Sequence, residues 1–260
     1  MTAPPIFRLR QGSGRLVVSI PHAGTYVPPD IAATLTDVGR SVGDTDWHVD
    51  RLYIFLEETD ATILTATHSR YVVDLNRGPE GGKLYPGQAE TSLCPTETFD
   101  GAPLYAGAPP DQAEIAARIE TYWQPYHTAL QAELTRIKTL HGAAHLFDAH
   151  SIRTAVPRLF PGDLPALNFG TNDGRAADAE ITARVVEAAG EHFPHVVNGR
   201  FKGGYITRHY GAPTQGVHAI QLELAQSAYM DEAAPDQYDP ARAAKLIGVL
   251  RQITAKFAKP

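Results

Sequence analysis

A histidine at position 22 sits in Ser19-Ile20-Pro21-His22-Ala23-Gly24, a turn bounded by proline and glycine just after a β-branched run. Further on, Asp44-Thr45-Asp46-Trp47-His48-Val49-Asp50 holds three carboxylates and a histidine within seven residues. A helix entry uses such carboxylates to accept free backbone N–H groups and to complement the dipole, but it needs fewer than three. One of them therefore has room for a second task. Asp148-Ala149-His150-Ser151 supplies another histidine directly after an apolar run. Two imidazoles and one carboxylate around a divalent ion leave an open position for water, and imidazole ligands normally lean on a neighbouring carboxylate such as Asp148. These residues alone do not say which aspartate completes the set.

Glu223 lies inside the apolar stretch Val217-His218-Ala219-Ile220-Gln221-Leu222-Glu223-Leu224. Burying a glutamate is costly unless it is paired, so it is either matched to an arginine or kept as a general base with a raised pKa. Asp74-Leu75-Asn76-Arg77 offers a guanidinium fork and an amide donor suited to a carboxylate, with a surface ion pair as the plainer alternative. Arg70, Arg153, Arg158, Arg200 and Arg208 stand in similar loop-like surroundings, where a dianionic ligand would want them.

The chain has 260 residues and a net charge of −6, which disfavours nucleic-acid backbones as partners. Its single cysteine, Cys94, excludes an internal disulfide, and eleven histidines make imidazole the natural metal ligand. The N-terminal residues show no signal-peptide pattern and no stretch has membrane-spanning length, so a cytoplasmic protein without a membrane partner is expected. There is no dinucleotide fingerprint, P-loop, G-x-S-x-G or H-E-x-x-H motif. Cys94 is expected to be a bystander, since no helix N-terminus is visible to activate it.

Positioning such residues requires strands that end near one another. Short apolar runs predict strands at Leu16–Ile20, Thr62–Ala66, Tyr71–Leu75, Ala143–Phe147, Leu167–Gly170 and Val217–Leu224. Helical spacing predicts helices from Asp46 to about Leu56, from Pro110 to about His141 with a kink at Pro125, over Arg175–Ala189, and over Pro240–Phe257. Residues 78–110 carry many turn signals and little periodicity. Alternating strands and helices imply an α/β sheet with helices on its faces and ligands beyond the strand ends.

In combination these segments resemble the N-formylglutamate amidohydrolases. The resemblance rests on Ile20-Pro21-His22-Ala23-Gly24, Asp44-Thr45-Asp46-Trp47, the run Ser69-Arg70-Tyr71-Val72-Val73-Asp74-Leu75-Asn76-Arg77, Asp148-Ala149-His150-Ser151, and the stretch from Asn198 through Gly203-Gly204-Tyr205-Ile206-Thr207-Arg208 to Gln221-Leu222-Glu223. It implies one domain over 1–260, with a mixed central sheet flanked by helices in the zinc-dependent exopeptidase (phosphorylase/hydrolase-like) architecture. It also implies hydrolysis of N-formyl-L-glutamate to L-glutamate and formate in histidine degradation. The implied metal is Zn²⁺, with Co²⁺ or Fe²⁺ also compatible, held by His22, Asp46 and His150; Asp44 is the rival carboxylate. Thr25 stands three residues after His22, so the H-x-x-E pair of carboxypeptidases is absent. Glu223 is the implied base, and Arg153 or Arg208 the cation that polarises the carbonyl. Asn76 and Arg77 are expected on one substrate carboxylate, one of Arg70, Arg153 and Arg208 on the other, Gly203 and Gly204 against the small acyl group, and Thr207 among the substrate-binding residues. The alternatives are a related deacylase acting on another N-acyl amino acid or a cell-wall peptide, and a non-catalytic carboxylate-binding protein.

Overall fold

The computed structural model describes residues 3–82 and 90–260. Seven strands among them form one mixed sheet: β1 (Phe7–Arg10), β2 (Leu16–Ile20), β3 (Thr62–Ala66), β4 (Ala144–Ile152), β5 (Leu167–Gly170), β6 (His195–Val197) and β7 (Val217–Ala225), in the order β1-β3-β2-β4-β7-β5-β6. β3, β2, β4 and β7 run parallel to one another, whereas β1 pairs antiparallel with β3 and β5 antiparallel with β7. Strands β2, β3 and β4 are buried along their whole length, as expected of parallel strands covered on both faces. That is why β2 and the first half of β4 are rich in apolar residues, while the polar residues of β4 fall in its second half, toward the site.

Helices cover both faces. Short turns α1 (Pro29–Ala32), α2 (Asp37–Arg40) and α3 (Val49–Leu52) follow β2; α4 (Gln112–Arg118) and α5 (Gln124–His141) precede β4; α6 (Ala179–Glu187) and α7 (Tyr205–Tyr210) lie between β5 and β7; α8 (Pro240–Phe257) closes the chain. Along β4 the pleat sends Phe147 into one core, with Val49, Leu52, Val185, Leu250 and Phe257 from α3, α6 and α8. It sends Leu146 into the other, with Tyr126, Leu130, Leu134 and Ile206 from α5 and α7.

Some elements depart from the sequence expectation. Tyr71–Leu75 is a buried strap rather than a strand. Its backbone bonds go to turns and to a loop, Val72 N to Ser69 O (2.9 Å) and Asp74 N to Leu93 O (2.7 Å), so no ladder forms. The helix expected from Asp46 is reduced to α3 and a 3₁₀ turn at Ile54–Glu58: His48, in a left-handed conformation (φ 62°), delays its start to Val49, and Tyr53 leaves helical geometry (φ −101°, ψ 7°) between the two pieces. The strand expected to stop at Phe147 continues through Ile152, which places Asp148 and His150 inside β4 rather than after it. The helix expected over Arg175–Ala189 is confined to α6. Ile119–Trp123 is a π-helical turn joining α4 to α5. Pro125 lacks an N–H and crowds the carbonyl four residues back, and a widened turn absorbs both effects. Within the turn-rich stretch 78–110, residues 83–89 lie outside the described part.

The sheet order fixes where a site can form. After β2 the chain adds β3 on one side, then crosses to add β4 on the other, so the connections diverge at the carboxyl ends of β2 and β4. In open α/β sheets, that divergence leaves a crevice for ligands.

Candidate active site

His22 stands two residues past the end of β2, and His150 lies near the carboxyl end of β4. Asp46 comes from the turn before α3: its N–H donates to His22 O (3.1 Å), and its Oδ2 accepts from the Ser151 N–H (3.0 Å). These bonds draw the three side chains to the crevice between β2 and β4. Donor atoms of His22, Asp46 and His150 lie within 4.8 Å of one another, and all three residues are buried. Asp46 Oδ2 is 3.1 Å from His150 Nδ1 and 3.8 Å from His22 Nδ1.

The outer nitrogens of both rings face carboxylates. His22 Nε2 hydrogen-bonds Asp74 Oδ1 (2.8 Å), and His150 Nε2 lies 3.1 Å from Asp148 Oδ1. His22 Nδ1 is buried without a hydrogen-bond partner. An orphaned imidazole nitrogen aimed at a carboxylate and a second imidazole, each ring backed by a carboxylate, fits a tetrahedral ion, whose ligand atoms sit roughly 3.4 Å apart. The donor set of nitrogen and oxygen suits zinc, and cobalt or iron as well. Asp44 does not join it. Its Oδ2 accepts from the Phe99 N–H (2.7 Å), so it secures a loop instead.

Arg70 is locked between the two acids, with Nη1 3.3 Å from Asp46 Oδ1 and Nη2 2.8 Å from Asp74 Oδ2. Burial alone would raise the pKa of both acids. The hydrogen bond from His150 and the charges of His22 and Arg70 outweigh it at Asp46, and the charges of His22, Arg70 and Arg77 outweigh it further at Asp74, which is held well below the carboxylate range. Burial, reinforced by the Arg70 charge, lowers the pKa of His22 and favours the neutral ring that a ligand requires. His150 is raised well above its ordinary value, because Asp148 and Asp46 outweigh burial. Any ion bound through its Nδ1 must displace a proton.

Glu223 is the direct neighbour of His150 in the parallel β4–β7 register, so the two side chains share a face of the sheet. Burial pushes its pKa up to about 8, countered in part by the His150 charge. Its Oε2 accepts from Gln221 Nε2 (3.2 Å). Gln221 Oε1 in turn accepts from the Gly204 N–H (2.7 Å) and Asn76 Nδ2 (3.4 Å).

A cavity of about 60 Å³ opens beside this cluster, bordered by His22, His150 and Glu223, by Arg70, Arg77 and Arg200, by Asn76, Gly204 and Gln221, and by Glu90, Thr91, Phe99, Ile152, Leu159 and Phe201. The structure thus brings His22, Asp46, His150, Glu223, Arg70, Asn76, Arg77 and Gly204 to one place. Three of the expected residues are directed elsewhere among the described residues. Arg153 Nη2 pairs with Asp100 (2.8 Å), Arg208 Nε donates to Gly203 O (2.7 Å), and fully buried Thr207 donates to Asp148 Oδ2 (3.4 Å). None of them borders the cavity, because α7 turns Thr207 and Arg208 inward or toward their own backbone. Asn76 borders the cavity, but its amide is engaged with the scaffold: Oδ1 accepts from the Ile206 N–H (2.8 Å), and Nδ2 lies 2.9 Å from His150 Nε2. Gly204 lies so close to that amide that a Cβ there would collide with it. Cys94 is buried away from the site, and burial pushes its thiol up to about 11, consistent with a bystander.

Sequence reasoning assigned no role to Asp74 or Gln221, and it placed Arg200 only within a group of five arginines suited to a dianionic ligand. Gln221 had a usable signal, since it lies two residues before Glu223 on the same strand face. Asp74 and Arg200 lie in irregular segments, where spacing carries no directional information.

A buried two-histidine, one-carboxylate centre at the switch point of a mixed sheet, with a proton-holding glutamate and arginines around a small cavity, defines a hydrolytic enzyme with a metal-capable donor set. The N-formylglutamate amidohydrolase family matches residues 14–230. Over 251 residues the chain is 48% identical to an N-formylglutamate deformylase of Pseudomonas aeruginosa, covering 95% of this chain and 94% of that protein. It is 43% identical over 253 residues to one of Pseudomonas putida, with the same coverage. The crystal structure of N-formylglutamate amidohydrolase from Ralstonia eutropha JMP134 superposes with a TM-score of 0.80 at 26% identity, over 97% of this chain and 95% of that one. A protein of Agrobacterium tumefaciens shares the fold, with a TM-score of 0.72 at 18% identity over 98% of this chain and 95% of its own. The chain belongs to the N-formylglutamate amidohydrolase family.

Proposed function

We propose that this protein acts as one domain to hydrolyse N-formyl-L-glutamate to L-glutamate and formate, using a divalent ion, zinc first, held by His22, Asp46 and His150. The observation that carries this reading is the register that sets Glu223 beside His150, next to the orphaned Nδ1 of His22. When bound, the ion supplies Lewis acidity to water and to the formyl carbonyl. Burial pushes the Glu223 pKa to about 8, and a cation bound beside it would favour the ionised form; in that form Glu223 takes a proton from the attacking water as the carbon–oxygen bond forms. It then returns that proton to the amide nitrogen as the carbon–nitrogen bond breaks, so formate and the free amine leave and Glu223 is restored. Gln221 orients the Glu223 carboxylate through its 3.2 Å bond.

In this reading Arg70, rather than Arg153 or Arg208, polarises the formyl oxygen, supported by its position at the cavity and by its buried Nε, which has no hydrogen-bond partner. Arg77 receives a substrate carboxylate, while Asn76 holds His150 and α7 in place. A mixed central sheet with helices on both faces and donor residues at its strand ends is compatible with the zinc-exopeptidase architecture that the resemblance implies. Histidine degradation in the cytoplasm is the setting that fits this substrate; among the described residues, no helix is long and apolar enough to cross a membrane.

The test is hydrolysis of N-formyl-L-glutamate by purified protein, with formate and glutamate both quantified and N-acetyl-L-glutamate as comparison. Activity on the formyl compound should vanish with a chelator and return with zinc. Full activity after chelation, or a preference for the acetyl compound, contradicts the proposal.

A further inference from the structure

The substrate proposed above carries two carboxylates, and among the described residues three arginines border the cavity: Arg70, Arg77 and Arg200. Arg70 is already engaged with two anions, Asp46 and Asp74. Arg77 and Arg200 reach the cavity from separate stretches of chain. Arg77 is fixed by Nε to Thr91 O (2.9 Å), Nη2 to Thr91 Oγ1 (2.9 Å) and Nη1 to Asn76 O (3.1 Å). Arg200 is fixed by Nε to Leu159 O (2.9 Å), its guanidinium carbon lies 5.3 Å from the centre of the Phe201 ring, and Leu159 and Phe201 also border the cavity. A guanidinium anchored at its stem meets a carboxylate with less loss of freedom, and an apolar surround strengthens a charge–charge contact relative to open water.

We propose that Arg200 is the specificity-determining residue of this enzyme: it receives the side-chain carboxylate of an N-acyl dicarboxylic amino acid, while Arg77 receives the α-carboxylate. The inference rests on the hydrolytic reading of the site, and it replaces the expected second clamp. Arg153 is paired with Asp100, Arg208 lies against Gly203, and Arg70 holds the donor triad together. Leu159 and Phe201 provide the apolar surface along which the two methylenes between the carboxylates can lie.

The experiment compares wild type, Arg200→Met and Arg200→Lys on N-formyl-L-glutamate and on N-formyl-L-glutamine, which has the same length but no side-chain charge. Arg200→Met should raise KM for N-formyl-L-glutamate on the order of 10- to 100-fold, the worth of one charged hydrogen-bonded contact, with kcat little changed. Its kcat/KM on N-formyl-L-glutamine should stay within about threefold of wild type, so the preference collapses. Arg200→Lys should recover part of it, since the charge remains but the fork is lost. Equal losses on both substrates, or an unchanged preference, overturn the assignment. If wild type hydrolyses neither compound, the functional reading fails, and calorimetry with glutarate and butyrate still tests Arg200. Wild type should bind glutarate more tightly, and Arg200→Met should erase the difference; a difference that persists overturns the proposal.

Discussion

Asp46 joins more of the site than any single role requires. It faces both histidines, accepts the Ser151 N–H and takes one arm of Arg70, while Asp74 takes the other arm and orients His22. The positive and negative groups are interleaved so closely that each acid stays ionised despite complete burial, whereas Glu223, without such a partner, holds its proton. Two predictions follow from this contrast. Glu223→Gln should lower kcat by roughly 10² to 10⁴ while the protein still binds one zinc ion, as expected when a proton carrier is replaced by an isostere; turnover and metal content measured on the same preparation check it. The second concerns stability. Glu223 has a pKa of about 8 in the folded chain against an ordinary 4.5. Between those values the folded form keeps a proton that the unfolded form has released, so raising the pH from about 4.5 to about 8 lowers stability through this residue. After metal removal, Glu223→Gln should therefore gain stability relative to wild type between pH 5 and pH 8 in urea melts. A difference that does not change with pH contradicts the assignment.

At the scale of elements, the site depends on segments that are neither strand nor helix. The carbonyls of three successive residues in the strap after β3 are each held by a different donor: Leu75 O by His127 Nε2 (2.9 Å), Asn76 O by the Tyr205 N–H (3.2 Å) and Arg77 O by Trp123 Nε1 (2.9 Å). Trp123 ends the π-helical turn, and its ring stacks on His127 in α5 with centroids 3.8 Å apart. The irregular helix thus registers the segment that carries Asn76 and Arg77. Trp123→Phe, which keeps an aromatic ring at this position but removes the N–H, should raise KM about two- to tenfold with kcat near normal, the worth of one hydrogen bond; an unchanged KM contradicts the registering role. The sequence made β2, β3, β5 and α8 legible because their burial or periodicity is uniform. It misjudged Tyr71–Leu75 because a buried strap has the same apolar content as a strand, and the difference lies in where its N–H groups find acceptors. It passed over β1 and β6, which are short edge strands, partly or largely exposed and without an apolar run. The gathering of His22, Asp46 and His150 was readable from polar residues clustered against apolar runs. The directions of Arg153, Thr207 and Arg208 were not, since a loop residue's heading is set by contacts distant in sequence.

For the molecule as a whole, the mixed sheet orders its strands so that chain connections part between β2 and β4, and three distant segments meet there. Two cores, one on each face, hold that crossing in place, with Phe147 and Leu146 packed in opposite directions from the strand that bears His150. No local pattern encodes this order. It follows from long-range pairings such as His150 with Glu223 and Ser19 with Asp148. The central claim is that this architecture gathers one ion between His22, Asp46 and His150. Calorimetric titration of zinc into chelator-stripped protein tests it most directly, with wild type beside a His22→Ala, His150→Ala double variant whose fold is checked by circular dichroism. The account predicts one tight site per chain in wild type, proton release on binding as His150 gives up its proton, and no tight site in the variant. A folded variant that binds zinc as tightly as wild type, or a wild type that binds none, would contradict it.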